Sequence, residues 1–390
     1  MRYLLAGESH GPALVGVVDG FPAGLAIPQA DVDAEMARRL EGHGRGLRAR
    51  GIETDRVSFL AGFWNGVTLG SPLAFVIENR DFARSAGRTA QRWTTPRPGH
   101  ADFAGLVKYG FDECAPVAER ASARSTAGLV AVGACAKLLL AELGVTVFSH
   151  VVAIGGVEAV PGAVTAARLR RIHAGTPVRC LDRAAAARMV AAIDAAAAAG
   201  TTLGGVFEVV AFGLPIGLGA YVHPDRRLDA LLAAEVMAIP SVKGVEVGDG
   251  VAGAARTGHE AHDALRPDRA GARGVKRETN RAGGLEGGVT NGEPLRVRGH
   301  AKPISTVRDG LASVDLATGK GARAPWVRSD TCVVPAAGVV GEAVVAWRLA
   351  CALVEALGGD RLDVMRARGR ELRRAQVRKP TTGRTKGRTK

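Results

Sequence analysis

The sequence predicts one domain of mixed α and β structure, and three observations carry that expectation. Strand-like and helix-like segments are interspersed along the chain. No Pro/Ser-rich linker divides residues 1–360. At 390 residues, with 47% hydrophobic and 23% charged residues, the chain has the length and composition of a globular protein with one large core.

The elements follow in order. Residues 14–19 read as a strand, rich in valine and closed by Gly20. Residues 31–40 read as a helix. Residues 72–78, entered through Gly70-Ser71-Pro72, return to strand. A long apolar helix is expected at 125–143 and a strand at 145–152. The 183–199 segment is Ala-rich enough to be helical on propensity alone. Then come a strand at 205–212, a helix at 228–238, a strand at 294–298 and a helix at 342–357 that stops at Gly358-Gly359. Leu69-Gly70-Ser71-Pro72-Leu73 and Asn291-Gly292-Glu293-Pro294-Leu295 both put Gly-x-Pro-Leu at the mouth of a strand. Internal pseudo-symmetry and common turn chemistry explain that echo about equally well.

The formal charge of +14 suggests a nucleic-acid partner until it is located. Residues 361–390 hold 12 Lys/Arg and 2 Asp/Glu, so this tail carries +10 and residues 1–360 only +4. The last ten residues have no apolar anchor, and the tail is expected to be largely disordered. Aromatics make up 4%, too few for base-stacking platforms, so nucleic-acid binding is not expected. The five cysteines are odd in number and form no Cys-x-x-Cys pair, which fits a reducing compartment and argues against a structural zinc site. Glu8 comes too early for a signal peptide. The stretch most like a membrane span, 128–147, is broken by Lys137 and Glu142, so a cytoplasmic protein is expected.

Three short segments place ionisable groups among glycines and arginines: Gly7-Glu8-Ser9-His10-Gly11, Arg97-Pro98-Gly99-His100-Ala101-Asp102 and Arg328-Ser329-Asp330-Thr331-Cys332. Two imidazoles and a carboxylate amid guanidinium groups suit proton chemistry on a small anionic substrate. Residues 38–50 pack five arginines and three glycines into thirteen positions, which fits bidentate oxyanion binding better than a solvated charge run. Glu119-Arg120-Ala121-Ser122-Ala123-Arg124-Ser125 precedes the long apolar helix, as a phosphate site or a polar cap would. The turn at 280–292 is glycine-rich but has neither a Rossmann fingerprint nor a P-loop. Lys302-Pro303-Ile304-Ser305-Thr306 adds a cation and two hydroxyls. The other seven histidines, including His259 and His262, have no comparable setting, and no metal site is expected.

Taken together, these segments resemble the chorismate synthase family, in register from about residue 6 to about residue 358. The resemblance implies an α+β, single-domain β-α-β sandwich over residues 1–360, assembled as a homotetramer, with the tail at 361–390 outside it. It implies loss of the 3-phosphate and a C6 hydrogen from 5-enolpyruvylshikimate 3-phosphate to give chorismate. Reduced FMN is required although there is no net redox change, with NADPH or an external flavin reductase as the source of reducing power.

Residue roles carry over from the resemblance. His10 protonates the departing phosphate, His100 sits against the reduced flavin and controls its protonation, and Asp330 helps flavin N5 take the C6 proton. Ser9, Arg39, Arg45, Arg97, Ser122, Arg124 and Arg328 match substrate-binding positions. Arg120, Ala121, Ser122, Pro240, Ser241, Gly287, Lys302, Pro303, Ile304, Ser305, Thr306 and Arg328 match flavin-binding ones, and Arg39 and Arg45 are also associated with NADP. Two departures stand out. Ser125 follows Arg124 where Glu is usual, and Pro240-Ser241 replaces an amide followed by Ala, removing a backbone donor beside the expected flavin.

Overall fold

Along Ala13–Asp19, Leu14 and Val18 are buried while Val15 and Val17 face outward, the alternation required of a strand covered on one face. In the computed structural model it lies in a four-stranded antiparallel sheet ordered Arg2–Ala6, Ala13–Asp19, Leu73–Glu78, Val57–Ala61. Leu4 is paired with Val17, and Val17 with Ala74. Residues 1–85, 92–172, 176–327 and 329–377 are described; His173, Arg328 and the 381–390 stretch lie outside them.

A second antiparallel sheet is ordered Val242–Val247, Leu295–Ala301, Gly205–Phe212, Thr146–Ile154, Val157–Glu158. Val209 sits opposite both Val297 and Ser149. Gly205–Phe212, the central strand, is buried along most of its length.

Helices fill the space between the sheets. Thr126–Glu142 and Val334–Leu357 are largely apolar and mostly buried, and the charges they place inside, Lys137 and Glu342, pair with each other at 2.7 Å. Gly128 faces Leu5 of the first sheet; Gly338 and Gly341 face Ser149 and Phe207 of the second. The two helices cross where Gly133 meets Ala343, and a Cβ at Gly133 would lie 2.3 Å from that of Ala343. A side chain there would overpack the crossing at a cost of about 1–3 kcal/mol. Gln29–Leu40 packs beside them, with Val32 and Met36 fully buried. The layers therefore run sheet, helices, sheet, around one large core, with a smaller cluster of Leu169, Ile172 and Val210 on the second sheet; this is the α+β sandwich expected.

Three expectations need correction. The last core helix begins at Val334, eight residues before position 342, because Pro335 is tolerated in a first helical turn and the glycines serve close packing. This helix and Ala115–Glu142, rather than 128–147, are long and apolar enough to cross a membrane, yet both are mostly buried inside the fold. The tail is not disordered from residue 361: Leu362–Val377 is a helix. Its Leu362 and Met365 are buried, Arg373 donates to the carbonyls of Leu143 and Gly213 at 2.8 and 2.7 Å, and Gln376 brackets the backbone of Ile216. As for the Gly-x-Pro-Leu echo, Gly70 and Gly292 both have positive φ and each leads into an inner strand, Leu73–Glu78 and Leu295–Ala301.

Candidate active site

The loop after the first strand carries Ser9 and His10. Ser9 is buried; its hydroxyl accepts from Ser122 Oγ at 3.1 Å and from Arg48 Nη1 at 2.9 Å. His10 is half exposed, with Nδ1 2.7 Å from Glu119 Oε1 and its backbone N–H donating to Glu119 Oε2 at 2.6 Å. Burial pushes the Glu119 carboxyl up, but the hydrogen bonds from His10 and the more distant Arg48 hold it below its ordinary range.

Behind Ser9 lies a buried arginine cluster. Ser122 caps a short 3₁₀ turn by accepting from the Arg124 N–H. Arg124 donates to Asn79 Oδ1 at 2.6 Å and to Asp55 Oδ1. Arg39 reaches the other Asp55 oxygen at 2.7 Å and also donates to Thr126 Oγ1 and the Ala123 carbonyl. Burial pushes the Arg39 guanidinium down to about 10, opposed by Asp55 and reinforced by Arg45 and Arg124, so it stays cationic at neutral pH. Asp55 has no exposed side-chain surface and a left-handed φ of 51°, a conformation short polar residues tolerate.

Asp330 closes the next part of the ring. Its Oδ1 accepts from the Gly46 N–H at 2.6 Å, and its Oδ2 pairs with Arg45 Nη1. Among the described residues, Arg45 Nε is a buried donor without an acceptor. Ser329 bonds Thr306 through their hydroxyls, which joins Asp330 to the 302–306 loop. That loop meets the His100 turn: a Cβ at Gly99, whose φ is 79°, would lie 3.6 Å from Ser305 Cβ and 3.9 Å from Lys302 Nζ.

Within that turn Asp102 is fully buried. It accepts from the Arg97 backbone at 3.0 Å and from Arg97 Nε at 2.8 Å, and its Oδ1 lies 2.5 Å from His100 Nδ1. Burial pushes its carboxyl up, but those bonds prevail and hold it well below the usual carboxylate range. Arg97 lies over the Trp93 ring at 4.6 Å.

Hydrogen bonds and chain neighbours thus link His10 through Ser9, Ser122, Arg124, Asp55, Arg39, Arg45, Asp330 and Ser329 to Thr306, and the His100 turn lies beside this network where Gly99 approaches Ser305. A model of the family described as chorismate synthase matches residues 1–354. The chain belongs to the chorismate synthase family. Chorismate synthase of Frankia casuarinae is 52% identical over 383 residues, covering 94% of this chain and 96% of that protein. The Anaeromyxobacter sp. (strain K) protein of the same name is 53% identical over 374 residues, covering 94% and 97%. A solved structure titled "Crystal Structure of Chorismate Synthase" superposes with a TM-score of 0.78 at 35% identity, covering 96% of this chain and 98% of the other.

The other residues expected at the site from the resemblance fall less tightly. Arg120 is exposed and donates to the Leu5 carbonyl at 3.1 Å, and Ala121 ends the Ala115–Arg120 helix. Ser241, at φ 77°, accepts from the Lys302 N–H at 2.9 Å, so the Pro240-Ser241 turn is pinned to the 302 loop. Pro303 is exposed, and the Ile304 carbonyl accepts from Thr202. Gly287 sits at a hairpin tip beside Tyr221, joined to the network by no hydrogen bond among the described residues. Arg328 lies outside them.

Sequence reasoning gave no role to Asp55 or Asn79, and took Arg48, Thr126, Glu119 and Asp102 only as parts of longer motifs. The available signal was charge balance: Glu53 and Asp55 follow immediately on the arginine run.

Proposed function

We propose that this chain catalyses the chorismate synthase reaction, loss of phosphate and a C6 proton from 5-enolpyruvylshikimate 3-phosphate, with reduced FMN bound beside the substrate. The observation that carries the reading is the network itself: two carboxylate-held imidazoles and Asp330 spaced around buried arginines, in a chain of this lyase family. A substrate with one phosphate and two carboxylates needs such a concentration of guanidinium groups, since oriented cations compensate its charge without reorganising.

The flavin's phosphate also fits the residues present. Among the described residues, neither Lys302 nor Lys243 has a carboxylate partner, and burial together with Lys243 lowers the Lys302 pKa. An ammonium so placed gains from a bound oxyanion, and Ser305 and Thr306 supply hydroxyls beside it. When bound, reduced FMN supplies transient electron density that eases departure of the phosphate and is then recovered.

The chain's own residues do the rest. Arg124 and Ser122, set by Asp55 and Ser9, orient the anionic groups. His10 Nε2, on the ring edge away from Glu119, gives a proton to the departing phosphate oxygen. His100, fixed by Asp102, controls protonation at the flavin. Asp330 is placed at Arg45 and Gly46 to take part in removing the C6 proton. The outer face of the first sheet exposes Leu4, Val15, Val17 and Leu60, which supports burial of that face in a homotetramer.

The test is anaerobic incubation of pure protein with substrate and photoreduced FMN, following chorismate absorbance and phosphate release. Flavin consumed one-for-one with product would point instead to a flavin oxidoreductase.

A further inference from the structure

We propose that Glu119 is a positioning residue for His10, and that the helix pair bearing Asp102 and Glu119 sets where both imidazoles stand. The proposal rests on the reading that His10 acts at the substrate's phosphate.

Three bonds join Glu119 to two consecutive residues. Its carbonyl accepts from the Ser9 N–H at 3.0 Å, Oε2 accepts from the His10 N–H at 2.6 Å, and Oε1 lies 2.7 Å from His10 Nδ1. An ionised carboxylate can only accept, so this contact puts a proton on Nδ1 and turns Nε2 outward. The Glu119 carboxyl is held in its ionised form despite partial burial. The other charged groups at this loop are Arg48, bonded to the Ser9 hydroxyl and carbonyl, and Glu8, whose carboxylate lies by Gly11.

His100 repeats the arrangement, with Nδ1 on Asp102. The two carboxylates are mechanically connected. Asp102 begins the Asp102–Tyr109 helix and Glu119 lies in the last turn of Ala115–Arg120. The helices touch at Gly105 and Val117, where a Cβ on Gly105 would lie 2.5 Å from Val117 Cγ1. One tight contact therefore sets the distance between the groups that hold the two histidines.

The experiment uses full-length protein with ¹⁵N-labelled histidine. The ring correlations of His10 and His100, the thermal midpoint, kcat and KM are compared for wild type, Glu119→Gln and Gly105→Ala. Glu119→Gln keeps the shape but offers an amide to Nδ1. We expect the His10 ring pattern to change and kcat to fall about 10- to 100-fold, the usual effect of losing an orienting partner, with KM within about threefold by the same reasoning. His100 signals and the midpoint should stay in place. Gly105→Ala should move both histidines. An unchanged His10 pattern with wild-type kcat in Glu119→Gln overturns the proposal. So does a loss of turnover in which His100 and the midpoint shift equally, because that marks a merely structural residue. The ring pattern is read without turnover, so a Glu119-dependent His10 in a protein lacking elimination activity supports the positioning role and refutes only the reaction.

Discussion

Replacing Asp55 by Asn removes one negative charge from beneath two buried arginines while keeping the side chain's shape. Asn tolerates the φ of 51° at this position, so the backbone need not move. Arg39 and Arg124 share the carboxylate, one on each oxygen, and neither is more than slightly exposed. Removing one partner of a buried ion pair costs about 3–5 kcal/mol, because the remaining charge stays desolvated. With a denaturant slope at or above the small-protein range, the urea midpoint should drop by about 1 M. The defect should respond to an external anion, since substrate or inorganic phosphate replaces the lost counter-charge. Raising either ligand should therefore restore the midpoint of Asp55→Asn by more than it raises that of wild type. A ligand at 100 times its Kd adds about 2.7 kcal/mol, enough to see the difference. Adding Arg39→Met should cost less in the Asp55→Asn background than alone, as expected for coupled groups. A midpoint within ~0.2 M of wild type, or equal anion responses, would refute the idea that Asp55 compensates the arginines.

The remaining predictions concern proton chemistry, the tail and acid stability. His10→Ala, His100→Ala and Asp330→Asn should each lower turnover at least about 100-fold, measured anaerobically with reduced FMN. They should differ in kind: only His100→Ala should alter the spectrum or pH titration of bound reduced flavin, and Asp330→Asn should leave substrate affinity nearly unchanged. Deleting residues 378–390 should leave turnover within tenfold of wild type, about 1.4 kcal/mol. Deletion from residue 362 should lower the thermal midpoint, because it exposes the core beneath Leu362 and Met365 and frees the carbonyls of Leu143 and Gly213. Burial pushes the Glu208 carboxyl up, but His150, Arg296 and Arg298 overcome it and bring it down to about 2. Its contribution, on the order of 3 kcal/mol, is complete above the ordinary glutamate range and is lost as pH falls toward 2. Glu208→Gln should flatten the urea midpoint between pH 5 and pH 3; an unchanged slope there would contradict the assignment.

Legibility from sequence followed the physics of each element. Gly205–Phe212 was readable to the residue, because a β-branched run between glycines has few alternatives. Val334–Leu357 was readable only from residue 342, since Pro335, Gly338 and Gly341 look like breakers until Phe207 and Ser149 are seen to need the space. Arg2–Ala6 is too short and too near the terminus to announce itself. In Leu362–Val377 the arginines read as solvated charge, yet Arg368 and Arg373 are spent on backbone carbonyls. At the candidate site, His10, His100 and Asp330 stand out in the sequence because glycine and arginine surround them. Their partners do not: Asp55 is 69 residues from Arg124 and Glu119 is 109 from His10, so only the fold brings each pair together.

The central claim, a flavin-dependent elimination without net redox change, is tested most directly by product yield per flavin. Pure protein is incubated anaerobically with excess 5-enolpyruvylshikimate 3-phosphate and a small, known amount of photoreduced FMN. Many equivalents of chorismate and of phosphate should form per flavin, in equal amounts, with the flavin still reduced at the end. Product formation at full rate without flavin, or one product per flavin with the flavin oxidised, would contradict the account.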